Sequence, residues 1–216
     1  MDKLTITGLT GGMGSGKSSV AAFLCRTFPI ACFSADRVVH ELLEPEQPCW
    51  QVVRDLNHTF LREDGTLNKP VFREALFADA VLRREVNRRM HPLVHRVLME
   101  KIERHGRETG QCHFLVEVPL LFEAGWQRLF AAIIVVYACR ATSIDRVMQR
   151  DRISRQQAEQ AIACQERLFD KALCADHVVD NSGMWVDTVL QLLHLGKVLW
   201  VDGGKEGQVE KLQKKS

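Results

Sequence analysis

Residues 3–28 read KLTITGLTGGMGSGKSSVAAFLCRTF, and the change of pattern inside this stretch decides the fold. From Lys3 to Leu9 the chain is short, apolar and rich in β-branched residues, which predicts a buried strand. Glycines follow at Gly11, Gly12, Gly14 and Gly16, where the backbone can take conformations that a side chain would obstruct. The period then changes, because Val20, Phe23, Leu24 and Phe28 fall at i, i+3, i+4 and i+8, one face of a helix starting near Ser18. Strand, glycine loop and helix in that order turn successive amide N–H groups toward one anion and add the positive end of the helix. Residues 11–18, GGMGSGKS, fit GxxxxGK[ST]. Lys17 is expected to reach the outer phosphates, the Ser18 hydroxyl to ligate Mg2+, and Ser19 to donate to an inner phosphate. The loop thus predicts ATP held by Gly12, Gly14, Ser15, Gly16, Lys17, Ser18 and Ser19.

Outward from this stretch, Ile30 to Phe33 reads as a second strand, ended by Ser34-Ala35-Asp36. Phe114 to Val118 and Ile133 to Ala138 have the continuous Val and Ile character of strands covered on both faces, as in a parallel sheet. His177 to Val179 is a candidate fifth strand. Helical patterns lie between them, so the expected fold class is α/β, a three-layer P-loop fold with a parallel sheet of about five strands. The interval from about 37 to 111 holds no convincing strand and predicts a helical insertion. Within it Leu82, Val86, Met90, Leu93 and Val97 mark an apolar stripe, and Pro92 predicts a kink or a new helix at His91. Farther on, Arg146 and Arg150 share a helix face, and Ser154 to Phe169 predicts another helix with Ser154 as its N-cap. One domain spanning 1–203 results, with a core of 1–36, 112–140 and 171–203, the insertion at about 37–111 and a helical lid at about 141–170. The polar segment 204–216 is expected to be a frayed tail.

Composition narrows the function classes. The 216 residues carry 29 Lys and Arg against 27 Asp and Glu, a net charge of +2, so no overall field favours nucleic acid or a membrane surface. Any anionic ligand must be held locally. No stretch approaches the roughly 18 to 20 apolar residues of a membrane span, and the start lacks a secretory pattern, so a cytoplasmic protein is expected. The seven cysteines are scattered, without a CxxC pair or zinc spacing, and read as reduced, mostly packed thiols.

Asp36 follows a strand at the sheet edge, and in open parallel sheets the carboxyl ends of strands face the ligand crevice. It is a candidate for orienting an acceptor hydroxyl, taking its proton or helping to hold Mg2+, set against a helix-capping role. Arg146 and Arg150 are candidates for closing over the phosphates, set against a solvated helix face. Arg83, Arg84, Arg88 and Arg89 form either a basic patch or an exposed face paired with Glu85. Glu117, inside an apolar strand, is either an outer partner of the magnesium site or an edge-facing carboxylate.

Together LTGGMGSGKSSVA from Leu9, SADRVVHEL from Ser34, HPLV from His91, VPLLFEAG from Val118, RVMQRD from Arg146 and ADHVVDNSG from Ala175 resemble the dephospho-CoA kinase family. That resemblance implies transfer of the ATP γ-phosphoryl to the ribose 3′-hydroxyl of dephospho-CoA, a helical substrate-binding subdomain and a lid. It implies Gly14 to Ser19 for ATP, Lys17 and Asp36 with Arg146 as catalytic, Arg146 and Arg150 for the phosphates, and His91, Pro92 and Pro119 to Glu123 near the substrate subdomain. This chain departs from the family pattern in having Ser34 where Asp is usual, and Ser19 where Thr is commoner. Two alternatives stand beside it. A kinase for another small hydroxyl substrate, such as a nucleoside, would share the loop, base and lid. A GTP-binding switch is excluded by order, because Asp180-Asn181-Ser182-Gly183 follows Asn68-Lys69 and position 71 is Val.

Overall fold

The computed structural model describes residues 4–163 and 168–202, so the predicted tail, Cys164 and part of the predicted helix from Ser154 to Phe169 lie outside the described residues. The chain forms two compact units, one made of residues up to Cys32 together with those from Gly110 onward, the other of Phe33–Thr109.

The first unit is built on a sheet of five strands: β1 (Thr5–Gly11), β2 (Ala31–Ser34), β3 (His113–Glu117), β4 (Ala132–Tyr137) and β5 (His177–Asp180). Their order is β2-β3-β1-β4-β5, with β1 parallel to β3 and β4, and β4 parallel to β5. The α/β parallel sheet read from the Val and Ile runs is therefore present. β1 extends two residues beyond the predicted end, because Thr10 and Gly11 still pair with Val135 and Val136.

One cluster holds the helices to this sheet. Leu9, Leu115, Ile134, Val136 and Val179 from the strands pack with Val20 and Leu24 of α1 (Lys17–Thr27) and with Leu192 and Leu195 of α9 (Trp185–Gly196). Each such side chain contributes about 1.5–3 kcal/mol on full burial. A smaller cluster joins Ile144 and Val147 of α6 (Arg140–Asp151) to Ala158 of α7 (Arg155–Ala163), with Met13 packed against it. Ser154 caps α7 as expected. Its hydroxyl accepts from the Gln157 N–H at 3.3 Å, and the Gln157 side chain accepts from the Ser154 N–H at 2.9 Å, a reciprocal capping box. Beyond it the chain forms α8 (Leu168–Leu173).

The cysteine expectation fails at one pair. Cys25 in α1 and Cys32 in β2 form a disulfide, their Cα atoms 6.2 Å apart, because the chain returns from the end of α1 directly to the strand. Cys49, Cys112, Cys139 and Cys174 are free thiols, and burial pushes Cys49 up to about 11.

The second unit is helical: α2 (Ala35–Leu42), α3 (Pro48–Leu56), α4 (Lys69–Ala78) and α5 (Ala80–Thr109), with α2, α3 and α4 each packed on α5. The new helix predicted at His91 is absent, since α5 runs uninterrupted through Pro92. Its buried positions are Val86, Met90, Val94, Leu98 and Ile102, so after Pro92 the stripe is one residue displaced from the predicted Leu93 and Val97. Tertiary burial along five turns outweighs the hydrogen bond lost at one proline. On its surface Arg88 and Arg89 both bind Glu85, at 2.7 and 2.5 Å, and their hydrogen bonds bring that carboxyl down to about 2. No helix among the described residues is long and apolar enough to cross a membrane.

Candidate active site

β1 delivers the chain at Gly11 into the loop, and α1 takes it up at Lys17. Two glycines make this turn feasible, Gly14 at φ 76° and Gly16 at φ 86°, both in the left-handed region that side chains disfavour. Space demands them as well. A Cβ on Gly14 would stand 2.4 Å from the Ser143 carbonyl oxygen, and one on Gly16 would stand 2.2 Å from the Asn181 side-chain nitrogen. Gly14→Ala therefore meets backbone rather than a side chain that can turn away. It is expected to weaken nucleotide binding at least tenfold and to lower stability by about 1–3 kcal/mol, read by ADP titration and urea unfolding.

Three polar side chains meet where β3 ends. Ser18 donates its hydroxyl to Glu117 Oε1 at 3.0 Å, and Lys17 Nζ lies 3.9 Å from the same oxygen. Glu117 is mostly buried, so it is not the edge-facing carboxylate that was the alternative reading. A hydroxyl and a carboxylate side by side are the hard oxygen donors that Mg2+ prefers. Among the described residues no group of three or more His, Cys, Asp or Glu could hold a metal ion.

From α6, half-buried Arg146 reaches the loop and donates Nη1 to the Gly14 and Ser15 carbonyls, both at 3.4 Å. Arg150, one turn on, is exposed and makes a two-point pair with Asp151 at 2.7 Å, which raises its pKa. Beside the loop opens a cavity of about 510 Å³, within the range of small-molecule sites, bordered by Gly12, Met13, Tyr137, Arg140, Ser143 and Leu168. The Ser143 hydroxyl, buried there, has no hydrogen-bond partner among the described residues.

Asp36 belongs to the second unit and lies exposed in the first turn of α2. Ser34 is the N-cap, accepting from the Arg37 N–H at 3.4 Å, so the capping role weighed for Asp36 is filled by its neighbour. Serine at position 34 keeps that cap without a carboxylate.

Two features were not apparent from sequence. Asn181, directly after β5, is buried and donates to the Ser15 carbonyl at 2.8 Å. Lys171 in α8 is buried and donates to Glu123 Oε1 at 2.5 Å. The sequence marks Asn181 within ADHVVDNSG and Glu123 at the end of Pro119 to Glu123, but not the partners these residues meet.

This loop, with its lysine, hydroxyl and carboxylate, joins the central strand of a parallel α/β sheet to a helix, and comparison with known proteins says which family has this sequence. The family model for dephospho-CoA kinase matches residues 5–187. Dephospho-CoA kinase of Symbiobacterium thermophilum is 36% identical over 181 residues, 83% of this chain and 75% of that protein. Dephospho-CoA kinase of Carboxydothermus hydrogenoformans is 35% identical over 205 residues, 94% of this chain and 98% of the relative. A crystal structure from Thermus thermophilus superposes with a TM-score of 0.79 at 27% identity, covering 92% of this chain and 99% of that one. With a family match across most of its length and an intact phosphate loop, the chain belongs to the dephospho-CoA kinase family, whose members are ATP-dependent kinases.

Proposed function

We propose that the protein transfers the γ-phosphoryl of ATP to the 3′-hydroxyl of the dephospho-CoA ribose, giving coenzyme A and ADP. The observation that carries this reading is the convergence of Lys17, Ser18 and Glu117 at the loop of a chain that belongs to this family. Loop amides from Gly12 to Ser19 bind the phosphates, and Lys17 stabilises the charge on the outer ones. Ser18 would hold Mg2+, with Glu117 bound to one of its waters, and that ion would neutralise charge between the outer phosphates. Arg146 and Arg150 belong to a helical lid at about 141–170 that closes on the nucleotide. In that closed state Arg150 exchanges Asp151 for phosphate. The helical second unit binds the acceptor, and Asp36 orients its hydroxyl and accepts its proton as the loose transition state forms.

The test is ADP release with ATP, Mg2+ and dephospho-CoA, run against a panel of nucleosides. Turnover confined to dephospho-CoA supports the proposal, whereas preference for a nucleoside replaces it with the nearest alternative. Asp36→Asn is expected to lower kcat by about 10²-fold or more while ATP binding persists. A variant with nearly full activity removes Asp36 from the reaction.

A further inference from the structure

We infer that Asn181 is a positioning residue for the phosphate loop: by holding the Ser15 carbonyl, it aims the Gly16 N–H at the nucleotide. Ser15 and Gly16 share one peptide group, and in a trans peptide the carbonyl and the following N–H point in opposite directions. No cis peptide occurs among the described residues. Whatever grips the Ser15 oxygen from one side therefore turns the Gly16 N–H toward the other.

Asn181 Nδ2 makes that grip at 2.8 Å, between groups that are both buried. The orientation of the amide is forced. A backbone carbonyl only accepts, so the nitrogen must face Ser15, which leaves Oδ1 to accept from the Thr188 hydroxyl at 2.9 Å. Thr188 is fully buried on α9. The Asn181 backbone is anchored in turn, its N–H donating to the Tyr137 carbonyl at 2.8 Å in continuation of the β4–β5 pairing. A chain of fixed groups thus runs from α9 through Asn181 to the loop.

Two further observations give this chain a purpose beyond packing. Gly16 has no room for a Cβ because the Asn181 amide occupies that place, so the loop glycine and the asparagine fit each other. Arg146 also touches the Ser15 oxygen, but at 3.4 Å and with a guanidinium suited to phosphate. Once Arg146 turns to the nucleotide, Asn181 retains the carbonyl. An aspartate could not serve, because its carboxylate would face the Ser15 oxygen and add negative charge behind a phosphate site.

The inference rests on the reading of the loop as an ATP site, and its test separates the two. Binding of ADP and of adenosine is measured by calorimetry for the protein and for Asn181→Ala, Thr188→Val and Thr188→Ser, with melting temperature recorded for each. Asn181→Ala is expected to bind ADP about tenfold more weakly and adenosine with unchanged affinity, because only phosphates meet the Gly16 N–H. Thr188→Val should show a smaller loss of the same kind, and Thr188→Ser, which keeps the hydroxyl, should hold ADP more tightly than Thr188→Val. The valine and serine pair carries the test if the Asn181 variant does not fold. Unchanged ADP affinity, or equal losses for ADP and adenosine, overturns the inference. Failure of dephospho-CoA as an acceptor would overturn the proposed function and leave these binding differences readable.

Discussion

Replacing Glu123 with alanine is expected to cost roughly 3–5 kcal/mol of folding stability, the largest loss foreseen for any exchange outside the phosphate loop. The Lys171 side chain has no solvent exposure, and its ammonium donates to Glu123 Oε1 at 2.5 Å. Glu123 keeps 28% of its side-chain surface in water. Their positions set the sign and the asymmetry. Without Glu123 a dry ammonium loses its counter-charge, whereas Lys171→Met leaves a carboxylate that water can still reach and costs less. The double variant Glu123→Leu with Lys171→Met should recover much of the loss, since a buried ion pair exchanged for apolar groups of similar size is often neutral. Urea unfolding at equal slope compares the four proteins, and adding Glu123→Leu alone closes the double-mutant cycle. Glu123→Ala within about 0.5 kcal/mol of the parent would show that the pair contributes little.

Lys17→Ala is expected to produce the largest kinetic effect, lowering kcat by about 10²–10³-fold. Lys17 is the first residue of α1, its side chain is 13% exposed, and its ammonium stands 3.9 Å from Glu117 Oε1. The charge thus stands beside the Ser18 and Glu117 oxygens proposed for Mg2+, close to where the outer phosphates would meet that ion. ADP affinity should fall less than kcat, because the ammonium matters most to the γ-phosphoryl as it departs. Lys17→Arg should not restore the rate, since a planar guanidinium cannot occupy the place of a compact point charge. Steady-state ADP release and calorimetric ADP binding measure the two quantities separately. A kcat within about threefold of the parent would withdraw Lys17 from the role assigned to it.

Features that depend on neighbours in sequence were legible. The glycine loop showed itself by spacing, and strands β3 and β4 by runs of Val and Ile that only two-sided burial explains. Ser154 was legible as a cap because the capping box spans three residues. Features set by distant partners were not legible. Asn181 meets Ser15 across 166 positions, and Lys171 meets Glu123 across 48, so neither pairing leaves a periodic trace. Pro92 leaves a kink or a new helix open at His91, and of the two the new helix is absent, since a helix buried along one face by α2, α3 and α4 gains more than one proline removes. The Cys25–Cys32 bridge depended on how tightly the chain turns between α1 and β2, which cysteine spacing alone does not reveal.

The register of β1 carries a consequence for how the chain assembles. Thr5 pairs with His113, and the entire second unit lies between them in sequence. Closing that loop costs chain entropy before any strand contact repays it, although the cost grows only with the logarithm of loop length. Within residues 33–109 closure is also needed, but over a shorter stretch, Glu41 of α2 meeting Lys101 of α5 across 60 positions. The central strand, which precedes its sheet partners in the chain and leads into the glycine loop, therefore waits for a partner made much later. During that wait Ile6 and Leu9, buried in the folded sheet, and the strand's unpaired backbone stand open to the wrong partners during synthesis or refolding.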